Sequence, residues 1–82
     1  MTNDDIFLKI STYLEEYFEV PREDITLASR LYEDLDLDSI DAVDLIVKLQ
    51  ELTAQKISPD SFKEVRTVSD VVEKVAELLQ KD

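Results

Sequence analysis

Three acids and two leucines alternate in Asp34-Leu35-Asp36-Leu37-Asp38, and Ser39 follows them where a helical apolar pattern opens at Ile40. Four readings compete for this stretch: a calcium loop, a nucleophilic serine, a plain helix cap, and an attachment point for a phosphate-linked arm. A calcium loop of the EF-hand type takes oxygen ligands at its first, third and fifth positions, glycine at the sixth and a bidentate glutamate at the twelfth. Asp34, Asp36 and Asp38 meet the first requirement, but Ser39 stands at the sixth position and Leu45 at the twelfth. Both the turn and the closing ligand are missing, so no metal site is expected beyond loose cation binding by clustered acids.

A nucleophilic serine needs a positioned base, ordinarily histidine or lysine. The chain has no histidine, no cysteine and no glycine. Neither a serine–histidine pair, nor a Gly-x-Ser-x-Gly elbow, nor a glycine-rich phosphate loop can be built from it. We therefore expect a non-catalytic protein. A cap at Ser39 is physically sound, because a hydroxyl at a helix start accepts a hydrogen bond from an early backbone N–H. Capping alone explains neither Asp38 nor the acid-flanked apolar stripe that follows.

The elements that hold this stretch are legible from apolar spacing. Ile6, Phe7, Ile10, Leu14, Tyr17 and Phe18 recur at three- and four-residue steps, which predicts an amphipathic helix over 4–18 with Asn3 as its cap. Pro21 marks where that helix has ended. Residues 19–38 show no sustained period, and a structureless loop of that length is uncommon in a compact domain. Val20, Ile25, Leu27, Leu31, Leu35 and Leu37 are expected to anchor it as an ordered crossover, with a helical turn near Ser29–Tyr32.

A second helix is predicted over about Ser39–Thr53, and it has two apolar faces. At 100° per residue Leu45, Ile46, Leu49 and Leu52 point one way with Ala42, whereas Ile40, Val43 and Val47 point the other way beside Asp44 and Glu51. The second stripe either packs under the crossover or meets a partner. Ser58 as cap and Pro59 at the first helical position open a short helix ending by Val65, with Ile57, Phe62 and Val65 turned inward. Thr67 and Asp70 form a capping-box pattern for a last helix, whose buried face is Val68, Val71, Val72, Val75, Ala76, Leu78 and Leu79. The fold class is all-α: a small four-helix bundle of three main helices and one short one, with a long first crossover, in a single domain over 1–82.

Nine basic against twenty acidic residues give a net charge of −11, which repels nucleic acid and anionic membrane and favours basic protein surfaces. Seven of the acids lie within 33–51, opposed there by Lys48 alone. No apolar run approaches the roughly 20 residues of a membrane span, and no basic start precedes an apolar core. A soluble, unprocessed, cytoplasmic monomer is expected.

The run Asp34-Leu35-Asp36-Leu37-Asp38-Ser39-Ile40-Asp41-Ala42-Val43-Asp44-Leu45 resembles the modification motif of acyl carrier proteins, an Asp-Ser-Leu core leading into an acid-rich helix. Leu31, Glu33, Asp34 and Leu35 resemble the approach to that motif, and Thr67-Val68-Ser69-Asp70 the start of the family's last helix. Length, acidity and helix order agree, so the likeness spans nearly the whole chain.

The resemblance implies that Ser39 takes 4′-phosphopantetheine from coenzyme A, through a separate magnesium-dependent phosphopantetheinyl transferase. The arm's thiol would hold acyl groups as thioesters and deliver them to fatty-acid, polyketide or related biosynthetic enzymes. It further implies a docking face for acyl-processing enzymes with basic surfaces, here Asp38, Asp41, Asp44 and Glu51 as charged rim and Ile40, Val43 and Val47 as apolar centre. The helix's other apolar face, with the first and last helices, would line a space for the acyl chain.

Some positions depart from the family pattern. Asp36 stands where glycine is usual, although Asp tolerates left-handed backbone. Lys48 and Gln50 reduce the acidity, and Leu52 and Thr53 replace a common acidic and aromatic pair. An aminoacyl or peptidyl carrier uses the same serine and arm; an unmodified acidic interaction module is the alternative from a different class.

Overall fold

The computed structural model describes residues 2–80. Three α-helices, α1 (Asn3–Phe18), α2 (Ser39–Thr53) and α3 (Val68–Gln80), are joined through two short 3-10 turns, Arg22–Asp24 and Pro59–Phe62. The predicted all-α bundle with one short helical element and a long first crossover is the architecture observed, the short element being 3-10 in geometry.

The cap of α1 is Thr2 and not Asn3. The Asp5 N–H donates to Thr2 Oγ1 at 3.1 Å while the Thr2 N–H donates to Asp5 Oδ2 at 3.2 Å. Asn3 is already helical, because Thr2 alone has an acid three residues ahead to close a capping box. Ile6, Ile10 and Leu14 are fully buried, with Phe7 and Phe18 partly so. Tyr17, predicted on this face, instead lies at its edge with half its surface in solvent, and Leu8 is equally exposed. Glu19 ends the helix in left-handed backbone (φ 57°), which reverses the chain ahead of Pro21.

The crossover is ordered, as its apolar punctuation requires. Val20, Ile25, Leu31, Leu35 and Leu37 are all buried in the same core as the helices, whereas Leu27 is not: it stays 51% exposed. The helical turn lies at Arg30–Asp34, where Asp34 N–H donates to the Arg30 carbonyl at 3.0 Å, and not at Ser29–Tyr32. The shift follows from Asp34, whose carboxylate takes the Arg30 N–H at 2.8 Å and its guanidinium at 3.1 Å. These bonds hold the Asp34 carboxyl below its usual pKa, chiefly through the Arg30 side chain. Ser29 is buried and bonded, donating to the Asp24 carbonyl at 2.7 Å and accepting from Thr26 N–H at 2.9 Å.

A backbone strap ties this crossover to the start of α3. Leu31 N–H donates to Arg66 O at 2.9 Å, Val68 N–H to Ser29 O at 3.0 Å and Ser69 N–H to Leu27 O at 2.9 Å, around an antiparallel bridge between Arg30 and Thr67. The strap explains Leu27: its carbonyl is recruited at the edge of the fold while its side chain points away from the core. Thr67 and Asp70 cap α3 as predicted, with Asp70 Oδ2 accepting from both Arg66 N–H (2.9 Å) and Thr67 N–H (3.1 Å). Those two backbone donors, Arg66 first, lower the Asp70 pKa. Val68, Val71, Val72 and Val75 are buried, and Ala76, Leu78 and Leu79 pack partly buried around them. Ser58 occupies the predicted cap position ahead of Pro59, but its side chain makes no capping bond.

Candidate functional site

The acidic stretch approaches α2 as a pair of buried leucines alternating with exposed acids. Leu35 and Leu37 enter the core, and Leu37 N–H donates to Leu31 O at 3.1 Å. Asp36 between them adopts φ 60°, the left-handed geometry that Asp tolerates better than most residues. The chain is therefore fixed on both sides of Asp36 and delivers Asp38 to the helix start in extended backbone.

The cap of α2 is Asp38, which overturns the reading of Ser39 as a cap. Asp41 N–H donates to Asp38 Oδ1 at 2.9 Å and Asp38 N–H donates to Asp41 Oδ2 at 3.2 Å, a complete capping box. A carboxylate with extended backbone one residue earlier takes the capping role, and Ser39 becomes the first helical residue, exposed, with its hydroxyl outside the box. Asp38 and Asp41 thus spend one face of their charge on the helix itself. The N–H groups of Ser39 and Ile40 have no partner among the described residues.

This arrangement fits a phosphodiester on the Ser39 oxygen. The hydroxyl is open to solvent, two unpaired N–H groups lie beside it, and a fifteen-residue helix directs its positive dipole end there. Asp38 and Asp41 oppose an anion, and water around the exposed Asp38 and the half-buried Asp41 limits that opposition. Among the described residues no three acids converge in a metal-holding arrangement.

Along α2 the two faces separate. Leu45, Ile46 and Leu49 are buried, with Ala42 and Leu52 partly so; Ile40, Val43 and Val47 are exposed at 71%, 49% and 43%. The second stripe does not pack under the crossover. It lies open beside the exposed Asp44 and Glu51, with the exposed Asp38 just ahead of the helix as its cap and the half-buried Asp41 in its first turn.

Two features escaped the sequence reading. Lys48, the lone base of 33–51, places its Nζ 4.3 Å from the centre of the Tyr17 ring, and Tyr17 lies 6.0 Å from Tyr13. Burial, assisted by the charge of Glu51, raises the Tyr13 pKa. The second is the lining of the space expected on the core side of α2: an apolar cleft lies there, but beside Ala42 and Leu45 of α2 it is lined by the loop residues Leu31, Tyr32, Leu37, Phe62 and Val65 and not by α1 or α3, and it holds only about 10 Å³ of internal space. That is room for one water at most. Periodicity finds the Leu and Val positions but carries no signal that Tyr32 and Phe62 come together across the loops.

A family model described as "Phosphopantetheine attachment site" matches residues 9–75. The chain is 48% identical over 79 residues to "Acyl carrier protein 2" of Ralstonia nicotianae, spanning 96% of this chain and 98% of that protein. It is 39% identical over 72 residues to "Acyl carrier protein" of Borrelia garinii subsp. bavariensis, spanning 88% and 90% of the two chains. Identity to "Acyl carrier protein" of Coprothermobacter proteolyticus is 34% over 73 residues, 89% of each chain.

Proposed function

The chain belongs to the acyl carrier protein family, whose members are non-catalytic carriers bearing 4′-phosphopantetheine, and from that membership we propose that Ser39 is the attachment residue and the substrate of a phosphopantetheinyl transferase. The observation that carries this reading is the division of labour at the head of α2. Asp38 does the capping, which leaves the neighbouring hydroxyl exposed on a fixed first turn. In the transfer, the Ser39 oxygen forms a bond to the pantetheine-side phosphorus of coenzyme A, the pyrophosphate P–O bond breaks, and the nucleotide half leaves. The serine proton passes to the transferase, since this chain has no histidine and the nearest carboxylates are engaged in the capping box. Once attached, the arm supplies a terminal thiol that holds acyl groups as thioesters, a chemistry this cysteine-free chain otherwise lacks.

The carrier acts as a cytoplasmic monomer of one domain, delivering cargo to fatty-acid, polyketide or related biosynthetic enzymes. Their basic surfaces meet Asp38, Asp41, Asp44 and Glu51, and Ile40, Val43 and Val47 supply a small apolar centre. Charge steers encounter and orientation; the limited apolar patch keeps affinity low enough for release. The concentration of acids in 33–51 supports acyl over aminoacyl or peptidyl cargo.

Intact mass after incubation with coenzyme A, magnesium and a broad-specificity transferase tests the attachment. One arm is expected on the protein and none on Ser39→Ala; no adduct, or an adduct surviving that substitution, defeats the assignment. Reversing Asp44 and Glu51 to lysine tests the docking face. The reversed protein should keep its helical circular dichroism while kcat/KM for arm transfer falls about tenfold or more at low salt, and an unchanged rate means that another face docks.

A further inference from the structure

Lys48 stands four residues after Asp44 and three before Glu51, positions from which a lysine on a helix ordinarily pairs with either acid. The acid-first order at four residues is the more favourable one. Yet the ion pairs among the described residues are Arg22–Glu15, Arg30–Glu33, Arg30–Asp34 and Lys63–Asp60, and Lys48 belongs to none. Its ammonium is drawn across to α1, over the face of Tyr17. That tyrosine is held in place by its tilted contact with Tyr13, which is itself packed against the core.

The two options for the ammonium are close in energy. An exposed cation–π contact and an exposed helical ion pair are each worth a fraction of a kcal/mol up to about one. Removing the ring therefore tips Lys48 back toward Asp44 and Glu51. We propose that Tyr17 is a positioning residue for partner recognition: by holding the Lys48 ammonium on α1, it keeps the Asp44 and Glu51 carboxylates unneutralised for a basic partner surface. This rests on the reading of α2 as the docking face. It assigns a specificity role to an α1 residue whose contact, Lys48, lies about 14 Å along the α2 axis from Ser39, from their nine-residue separation at 1.5 Å per residue.

The alternatives differ in outcome. If Tyr17 touched the partner directly, or only supported the fold, losing it would be harmful whatever residue stood at 48. If it acts through Lys48, deleting the lysine's charge makes the loss harmless. The test is a set of variants, Tyr17→Leu, Lys48→Met and their combination, assayed for arm transfer by a broad-specificity phosphopantetheinyl transferase with coenzyme A across a sodium chloride series.

Tyr17→Leu should lower kcat/KM by about two- to fivefold at low salt, the most that an ion pair of up to about 1 kcal/mol can withhold, with a shallower salt dependence, because charge at an interface rim acts chiefly on association. Lys48→Met should match or exceed the parent, and the double variant should return to within about twofold of it. The Lys48 ε-methylene protons should show a ring-current shift in the parent that vanishes in Tyr17→Leu, a readout independent of any partner. An unaffected Tyr17→Leu, a double variant as slow as Tyr17→Leu, or no ring-current shift in the parent each overturns the proposal. Failure of the docking face itself is seen separately: the Asp44 and Glu51 reversal would then also leave transfer unchanged.

Discussion

Replacing Asp38 separates two roles that the site gives to one side chain, the cap of α2 and a charge beside the modified hydroxyl. In Asp38→Ala the acceptor for the Asp41 N–H, now at 2.9 Å, is lost. The reciprocal bond from residue 38 N–H to Asp41 Oδ2 remains geometrically available. Losing an N-cap acceptor costs about 1 kcal/mol. For a domain of this size each kcal/mol corresponds to about 4–8 °C in Tm, so Asp38→Ala should melt about 4–8 °C below the parent.

Asparagine caps about as well as aspartate, so Asp38→Asn should stay within about 2 °C of the parent while removing the charge. Thermal unfolding followed by circular dichroism measures both, and hydrogen exchange at the Asp41 amide localises the effect to the first turn. Arm transfer then sorts the roles: a rate lost in Ala and retained in Asn assigns the function to cap geometry, and equal loss in both assigns it to charge. An Asp38→Ala protein with unchanged Tm and unchanged Asp41 protection, or an Asn variant as unstable as Ala, would refute the capping account.

Asp70 carries a pH signature. Its folded-state pKa is depressed by the Arg66 and Thr67 N–H groups, so its stabilisation is present above the unfolded carboxyl value near ~3.9 and is lost as pH falls through the folded value. Asp70→Asn should thus melt a few degrees lower at pH 7, for about 0.5–1 kcal/mol of helix-dipole and charge-assisted bonding, with the gap closing below about pH 4; a gap constant with pH is the contrary result. Ala54 ends α2 at φ 56°, a left-handed geometry that costs a Cβ-bearing residue about 1 kcal/mol. Ala54→Gly should raise Tm by several degrees in the same scan, and no gain would mean that the cap relaxes at little cost.

How much was legible in the sequence depended on whether a side chain or the backbone carried the information. The apolar spacing of Ile6, Ile10 and Leu14, or of Val68, Val71, Val72 and Val75, records burial directly, and the helices formed where that spacing placed them. The open stripe of Ile40, Val43 and Val47 was readable because acids flank it. The strap was not, since bonds from Leu31 to Arg66 and from Ser69 to Leu27 use main-chain atoms that leave no residue pattern. Leu27 and Tyr17 misled for a related reason: both are apolar at plausible spacing, but Leu27 is committed through its carbonyl and Tyr17 through a cation from another helix. Capping positions slipped by one residue at Thr2 and Asp38 because several cap-forming residues stand side by side, and only the acid three positions ahead selects among them.

The strap between the crossover and α3 also sets an order of events during synthesis. Residues 27–31 bond to residues 66–69, so Leu27, Ser29 and Leu31 gain those partners only after most of the chain has left the ribosome, while the bonds of Asp34, Leu35 and Leu37 that continue toward Ser39 are local but start from the strapped Arg30 and Leu31. Contacts of that sequence separation close late, because the loop entropy must be met first. A nascent chain can form α1 and begin α2 while Leu31 still lacks its partner at Arg66. A transferase that requires the ordered approach to Ser39 would therefore discriminate finished chains from unfinished ones, and truncation before residue 66 should expose that discrimination.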